Sequence, residues 1–463
     1  MTPEQLAAAK EVMVHGPMLL VIVLLAIVFI VFATAKLKLH PFFALLLAAY
    51  GVAFSVNMPA QYIGGVIAQG FGNLMAYIGL VIISGTIIGT IMERSGAALK
   101  MADVVLNWVG IKRSPLAMSI IGYITSIPVF CDSGYVILTP LNKALAKKTG
   151  IPIAVMSVAL ATGLYATHTL VPPTPGPIAA AGNVGADLGL VIIVGLIISI
   201  PAALVGLWWA YRVGKNIKSS FDEEAGISYD ELKAQHKKLP SAIASFAPIV
   251  VPIILIGIAS VIKFTKYAGP GTDLFLFLGL PLNALVIGVL LSLFLLPKFN
   301  EETLMNWFGQ GIKDSAIILV ITGAGGALGT VLANTPISDY IKSLAGGAFF
   351  GGPFVLLLPF VIAALLKTAQ GSSTVSLVTT SALLAPMLPQ LGMTGPMDLA
   401  LVVMSIGAGA MTVSHVNDSY FWVVSQFSGL KVTDAYRSQT AATFFEGLTT
   451  LIMTIIVFII FHR

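Results

Sequence analysis

The sequence predicts an all-α polytopic membrane protein, arranged as two inverted repeats of about five spans each. Each repeat is expected to hold a re-entrant hairpin and a broken helix. Three observations lead there. First, 57% of the 463 residues are hydrophobic and only 10% are charged, where soluble chains carry about 25% charged residues. Second, the apolar runs, among them Leu19–Phe32, Val191–Tyr211, Leu274–Leu296 and Leu448–Phe461, reach or approach the roughly 20 residues of a spanning helix. Third, polar, proline- and glycine-bearing breaks interrupt apolar sequence at corresponding places in the two halves.

In chain order, the first repeat (1–213) opens with a helix over Pro17–Ala35 and a second over Pro41–Asn57. The glycine-containing arm Gln61–Asn73 is expected to lie in the interface, ahead of a helix over Leu74–Met92 and an amphipathic piece over Leu99–Val109. The hairpin (114–148) follows. Its arms, Pro115–Ile127 and Tyr135–Ala146, are short and flank a polar tip at Pro128–Gly134. Basic residues lie at both outer ends (Lys112 and Arg113; Lys143, Lys147 and Lys148), as in a segment that enters and leaves by one face. The broken helix (152–180) is interrupted between Ala166 and Pro177, where Pro172, Pro173, Pro175, Gly176 and Pro177 cannot continue a helix. Irregular backbone at membrane depth needs surrounding protein or a water-filled cavity. A helix over Leu188–Tyr211 closes the repeat.

The segment 214–244 is hydrophilic and reads as a cytoplasmic connector. The second repeat (245–463) has two helices, an arm over Glu301–Gly311, a helix over Ile312–Val331, a hairpin (353–389) and a broken helix (399–430) interrupted at Ser414–Tyr420. Gly89-Thr90 recurs 240 residues on as Gly329-Thr330, and the same offset carries Asp132-Ser133 onto Ser372-Ser373 at the second tip. With the connector cytoplasmic and five crossings per half, Lys36, Lys38, Arg94, Lys112, Arg113, Lys147, Lys148, Lys298, Lys431 and Arg437 fall inside, while Lys10, Lys263, Lys266, Lys342 and Arg463 fall outside. That is a positive-inside bias. It places both termini in the periplasm, and the odd number of crossings inverts the halves. Inverted repeats with discontinuous helices point to a secondary transporter.

Other classes fit less well. The formal charge of +5 sits in membrane-flanking loops and is no nucleic-acid signal. One cysteine, Cys131, excludes an internal disulfide, and nothing resembles a zinc or iron–sulfur ligand set. No cleavable signal peptide is expected, because Glu4 and Glu11 spoil a basic n-region. An ATP-driven pump would need a Walker motif. An intramembrane enzyme would need a zinc motif or nucleophile elbow, and a passive channel does not need two halves around an occluded site.

Phe130–Gly134, Pro140–Ala146, Ala166–Pro177, Lys367–Ser373 and His415–Trp422 resemble the gluconate permease (GntP) family, and the resemblance covers essentially the whole chain. It implies a proton symporter for a small hydroxylated carboxylate in a bacterial inner membrane. Members carry gluconate, idonate, related sugar acids or D-serine. The grouping with the ion-transporter superfamily implies a homodimer with scaffold and transport domains moving as an elevator. Sodium is the alternative coupling ion, since superfamily relatives use it. No other cofactor is expected; lipids and a small carboxylate are the partners.

Asp132 and Asp418 are the proton-coupling candidates. A charged aspartate at membrane depth costs roughly 2.5–3.5 kcal/mol and marks a pathway or a paired site; burial away from cations favours the protonated form. Each could instead cap the following helix. His168 and His415, one at each break, could relay the proton or merely bond freed carbonyls. Lys367 could pair with the substrate carboxylate, with a nearby Asp or helix C-terminus, or snorkel outward. Ser133, Thr169, Thr174, Gln370, Ser372, Ser373, Thr374, Asn417, Ser419 and Tyr420 offer polar groups to substrate. Helix N-termini at the breaks attract anions. Cys131 reads as packing, Glu93, Arg94 and Asp339 as solvated or structural, and Gly323–Gly326 as helix packing.

Overall fold

The computed structural model describes residues 3–221, 239–337, 339–340, 352–416 and 418–461, and among these every regular element is helical. The all-α, multi-span class holds: among the described residues eight helices are long and apolar enough to cross a membrane, or nine with the bent pair Thr272–Leu278 and Pro281–Leu295 counted as one span. Most of the connector, 222–238, lies outside the described residues, as do Lys342 and Arg463.

The first half contains α1 (Pro3–Val12), α2 (Pro17–Ala35), α3 (Pro41–Ser55), α4 (Ala60–Arg94) and α5 (Ala97–Val109), then α6 (Ser114–Thr125), α7 (Cys131–Thr149), α8 (Ile153–Leu170), α9 (Pro175–Val184) and α10 (Leu188–Val213). The second half contains α11 (Ala242–Thr265), α12 (Thr272–Leu278), α13 (Pro281–Ser292), α14 (Glu301–Ala333), α15 (Leu357–Gln370), α16 (Ser373–Leu384), α17 (Pro396–Met411), α18 (Ser419–Phe427) and α19 (Ala441–Phe461). Prolines begin α2, α3, α9 and α17, where the missing N–H costs nothing and the fixed φ suits the helix. Glycines at positive φ (Gly150, Gly185 and Gly371) end α7, α9 and α15, which is the usual left-handed stop.

Two expected boundaries are absent. The arm Gln61–Asn73 is no separate interfacial piece: it continues unbroken into the span as α4, 35 residues long. The arm Glu301–Gly311 does the same in α14, 33 residues long. At 1.5 Å per residue each exceeds the ~30 Å hydrocarbon core. Of the glycines in these arms, Gly70 and Gly311 are contact points, while Gly64, Gly65, Gly72 and Gly309 meet nothing. A Cβ on Gly70 would stand 2.6 Å from the Gly326 carbonyl oxygen, and one on Gly326 would stand 2.8 Å from the Gly70 oxygen. Here the backbones of α4 and α14 approach directly.

The interrupted elements fill the interior. Every residue of α8 is buried, and α8 packs on α6, α7, α10 and α17. Helix α16 packs on α9 and α14, and α17 packs on α15 and α19. From outside this group, α4 reaches both breaks of the first half. A Cβ on Gly89 would lie 2.5 Å from the Pro128 oxygen, and one on Gly85 would lie 2.9 Å from the Pro173 oxygen. Only glycine lets a long helix lie that close to irregular backbone.

Candidate functional site

Four interruptions face one another. The first lies between α6 and α7 at Ser126–Phe130. This is slightly earlier than the expected tip, so Asp132 and Ser133 stand in the first turn of α7 and not in the loop. The second lies between α8 and α9 at Val171–Thr174, and the third is the short Gly371–Ser372 link between α15 and α16. The fourth lies between α17 and α18 and contains Val413 at φ +59°, a left-handed conformation that costs a β-branched residue of order 1–3 kcal/mol.

Contacts between these segments are close. Gly176 at the start of α9 sits against the start of α16: a Cβ there would stand 2.7 Å from Leu377 Cδ1 and 3.6 Å from the Thr374 Cα. Gly407 of α17 lies against the Thr169 carbonyl. Helix α18 packs on α7 and α8, so the second broken helix closes over the first hairpin.

The two aspartates differ in their surroundings. Asp418 caps α18, accepting from the Tyr420 N–H at 3.1 Å. Its Oδ2 also takes the Ser414 hydroxyl at 2.5 Å and the Lys367 ammonium at 2.6 Å. Lys367 donates again to the Gly371 carbonyl at 2.5 Å, and its side chain is 1% exposed. Lys367 therefore does not snorkel; it pairs with a carboxylate and with the C-terminal carbonyl of its own helix. Asp132, by contrast, caps nothing. The cap position of α7 is Phe130, which brings no side-chain bond. The Asp132 Oδ1 is buried with no hydrogen-bond partner, and Oδ2 receives the Cys131 thiol at 3.7 Å. Asp132 faces the Ser419 hydroxyl and lies within electrostatic reach of Asp418 and Lys367.

An aromatic cluster forms the floor. Tyr165 stacks on Tyr420 with ring centroids 5.1 Å apart and on His168 at 6.4 Å, and the Lys367 ammonium lies 5.7 Å over its ring. His168 is buried, next to Phe130, and its Nδ1 has no partner. His415 bonds the Thr368 carbonyl at 2.8 Å, tying the second break to α15.

The expected polar groups divide into two sets. Ser372 caps α16, Gln370 bonds the Ser372 carbonyl, Ser373 meets the Tyr165 hydroxyl, and Thr374 and Ser419 stay partly or fully accessible. Ser133 meets Glu93 from the end of α4, so Glu93 belongs to the rim of the site and is not simply solvated. The other set is committed to backbone. Thr169 donates to the Tyr165 carbonyl at 3.1 Å, Thr174 to that of Val171 at 2.6 Å, and Tyr420 to that of Ala161 at 2.8 Å. Asn417 lies outside the described residues.

Sequence reasoning missed three residues. Tyr165 is the centre of the aromatic floor, but tyrosine in an apolar helix carries no signal by itself. Ser414 was named only as an edge of the second break. Glu446, fully buried in α19, had a clear signal: it is the only charged residue of Ala441–Phe461.

Comparison with known proteins agrees with this architecture. The family model described as GntP family permease matches residues 18–460. A permease of Haemophilus influenzae is 35% identical, with 89% of this chain and 86% of that protein covered. A Pseudomonas aeruginosa protein named gluconate permease is 30% identical, covering 93% and 95%. The Escherichia coli D-serine transporter DsdX is 31% identical, covering 92% and 95%. Among solved structures, the Neisseria gonorrhoeae efflux pump MtrF has a similar fold, with a TM-score of 0.65 at 15% identity over 99% of this chain and 97% of that one. Matched along almost its whole length, the chain belongs to the GntP family of permeases, and it is a multi-pass membrane transporter rather than an enzyme.

Proposed function

We propose that the protein is a proton symporter that imports gluconate or a related sugar acid across a bacterial inner membrane. The observation that carries this reading is the bare Asp132 Oδ1, buried in the first turn of α7 and facing the Lys367–Asp418 pair. A carboxylate with no cation of its own, placed among helix ends and hydroxyls, is suited to take up and release a proton during transport.

In this reading the substrate carboxylate competes with Asp418 for the Lys367 ammonium. It also meets the N–H groups at the starts of α16 and α18, which favour anions. Ser372, Thr374, Ser419, Ser133 and Gln370 are positioned to take sugar hydroxyls. Thr169, Thr174 and Tyr420 would join only after their present bonds to carbonyls open. Asp132 carries the coupling proton, and His168, unpartnered at Nδ1 and beside Phe130, is placed to pass it on. Sodium remains the alternative coupling ion. Two inverted halves with both termini periplasmic, and a homodimer moving as an elevator, complete the proposal.

A second substrate is favoured by the 31% identity to a D-serine transporter. D-serine and gluconate both present a carboxylate beside a carbon bearing an amine or a hydroxyl. Uptake of labelled gluconate into proteoliposomes, under an inward proton gradient without sodium, tests all of this. Accumulation should collapse with a protonophore and be competed by sugar acids. Accumulation driven only by sodium would replace the coupling ion. Competition by D-serine alone would replace the substrate class.

A further inference from the structure

Glu446 is the most deeply isolated acid among the described residues. It lies in the second turn of α19, it is 0% exposed, and neither carboxylate oxygen has a hydrogen-bond partner. It is not a stray polar residue in an otherwise apolar face. Gln439, Thr443, Glu446, Thr450 and Thr454 recur at three- and four-residue spacing and are all 0% exposed. They form a buried polar seam along the helix. Gln439, two turns before Glu446, likewise has both amide atoms unpartnered. It sits in the π-helical turn Tyr436–Thr440 that leads into α19, a local widening often found at functional positions.

The seam is attached to the second break. The Ser414 N–H donates to the Thr443 hydroxyl at 3.0 Å, and the Thr440 hydroxyl donates to the Ser414 carbonyl at 2.5 Å. Ser414 in turn donates its hydroxyl to Asp418. One helical turn beyond Thr443, Glu446 is thus on the element that holds the Asp418–Lys367 pair in place. The helix that ends the first half, α10, has no such seam; its one buried polar side chain is Ser199, which bonds Tyr123.

No cation among the described residues bonds it. Helix α19 packs on α8, α10, α17, the Pro353–Leu356 turn and the π-helical turn. The titratable residues of those elements are Tyr165 and His168, Tyr211 and Arg212, Asp398, and Tyr436 and Arg437, and none of them bonds Glu446. The group that faces it is the Tyr420 phenol, whose proton already goes to Ala161. An ionised carboxylate held there without a partner would cost far more than one carrying a proton.

We propose that Glu446 is a second proton-binding site of the transport cycle: it holds a proton in the state described and releases it when α19 shifts against the second break. This rests on the symport reading above, but it assigns a proton to a residue outside the substrate site. The test uses the full-length protein in proteoliposomes. Protons and labelled gluconate are counted together, in wild type and in Glu446→Gln, which keeps the shape of the protonated acid.

The protons moved per substrate should fall by one in Glu446→Gln, while gluconate counterflow persists at near wild-type rate. Infrared spectra at neutral pH should show the carbonyl stretch of a buried protonated acid in wild type, missing in the variant. An unchanged proton count would overturn the Glu446 site, as would a wild type without that band. Wild-type uptake that moves no protons would instead sink the symport reading, and wild type alone shows it. If the glutamine variant does not fold, Glu446→Asp decides: a shifted acid band supports the site, and an unshifted band overturns it.

Discussion

Two of the interruptions place an aspartate at the start of the helix that follows, and they treat it differently. In the second half, Asp418 is saturated: cap, hydroxyl and ammonium all reach it, and Lys367 is buried with it. In the first half, Asp132 stands two positions past the cap with an empty oxygen. The same residue type thus does two jobs. Asp418 neutralises a buried lysine and locks two breaks together. Asp132, in the proposed reading, is the one that changes its charge. A buried ion pair contributes little net stability but is costly to break, so the second region suits a latch and the first a proton carrier.

The sharpest test of this contrast is Asp132→Asn. Accumulation under a proton gradient should vanish, with the internal-to-external ratio falling to unity, while substrate exchange without net proton movement survives. Normal uphill uptake in this variant would erase the distinction. Lys367→Gln should produce a different failure. It strands the Asp418 charge, at a cost of about 3–5 kcal/mol, and weakens carboxylate binding. Adding Asp418→Asn should recover much of the thermal stability in detergent but not the affinity. If Lys367→Gln alone binds gluconate normally, Lys367 is no part of the substrate site.

The contrast was only partly legible in the sequence. The breaks were, because Pro172, Pro173, Pro175 and Pro177, and the polar run at Ser414–Tyr420, cannot sit inside apolar helices without a reason. The pairing of Lys367 with Asp418 was not, since it joins residues 51 apart through a fold that no local pattern specifies. Snorkelling and pairing predict the same letters. The joining of arms to spans in α4 and α14 was hidden for a related reason. Gly64, Gly65, Gly70 and Gly72 look like helix breakers locally, yet Gly70 is demanded by contact with a helix some 250 residues away. Glu446 was legible, as a lone acid in an apolar span.

A subtler test asks whether the first region needs its support from α4. Gly89→Ala would push a methyl group to 2.5 Å from the Pro128 oxygen, so the hairpin tip bearing Asp132 must shift. A cost of about 1–3 kcal/mol is expected, with uptake falling more than substrate binding. The matched change Gly329→Ala puts its Cβ 3.0 Å from the Ala382 oxygen, a milder approach on the second half. Equal effects of the two would show that α4 does not specifically position the Asp132 region.

The smallest effect belongs to a third aspartate, which caps a helix as Asp418 does and so separates capping from coupling. Asp187 caps α10, accepting from the Leu190 N–H at 3.0 Å, and it also meets the Ser260 hydroxyl at 2.8 Å and Lys263 at 3.4 Å. It has the partners of Asp418, but it lies between spans and is partly exposed. Burial, the largest influence, pushes its carboxyl up. The Leu190 N–H, the Ser260 hydroxyl and Lys263 together outweigh burial and hold it below the usual carboxylate range. A carboxyl lowered on folding stabilises the protein fully above the unfolded value, about pH 4. That contribution is lost as pH falls through the lower, folded value. Asp187→Asn should therefore lower thermal stability at pH 7 by only about 0.5–1 kcal/mol, and the difference from wild type should shrink in acid below pH 4. Proton counts per substrate should not change. If they did, an aspartate that is capped, hydroxyl-bonded and lysine-paired could still couple protons, and saturation would no longer distinguish Asp418 from Asp132.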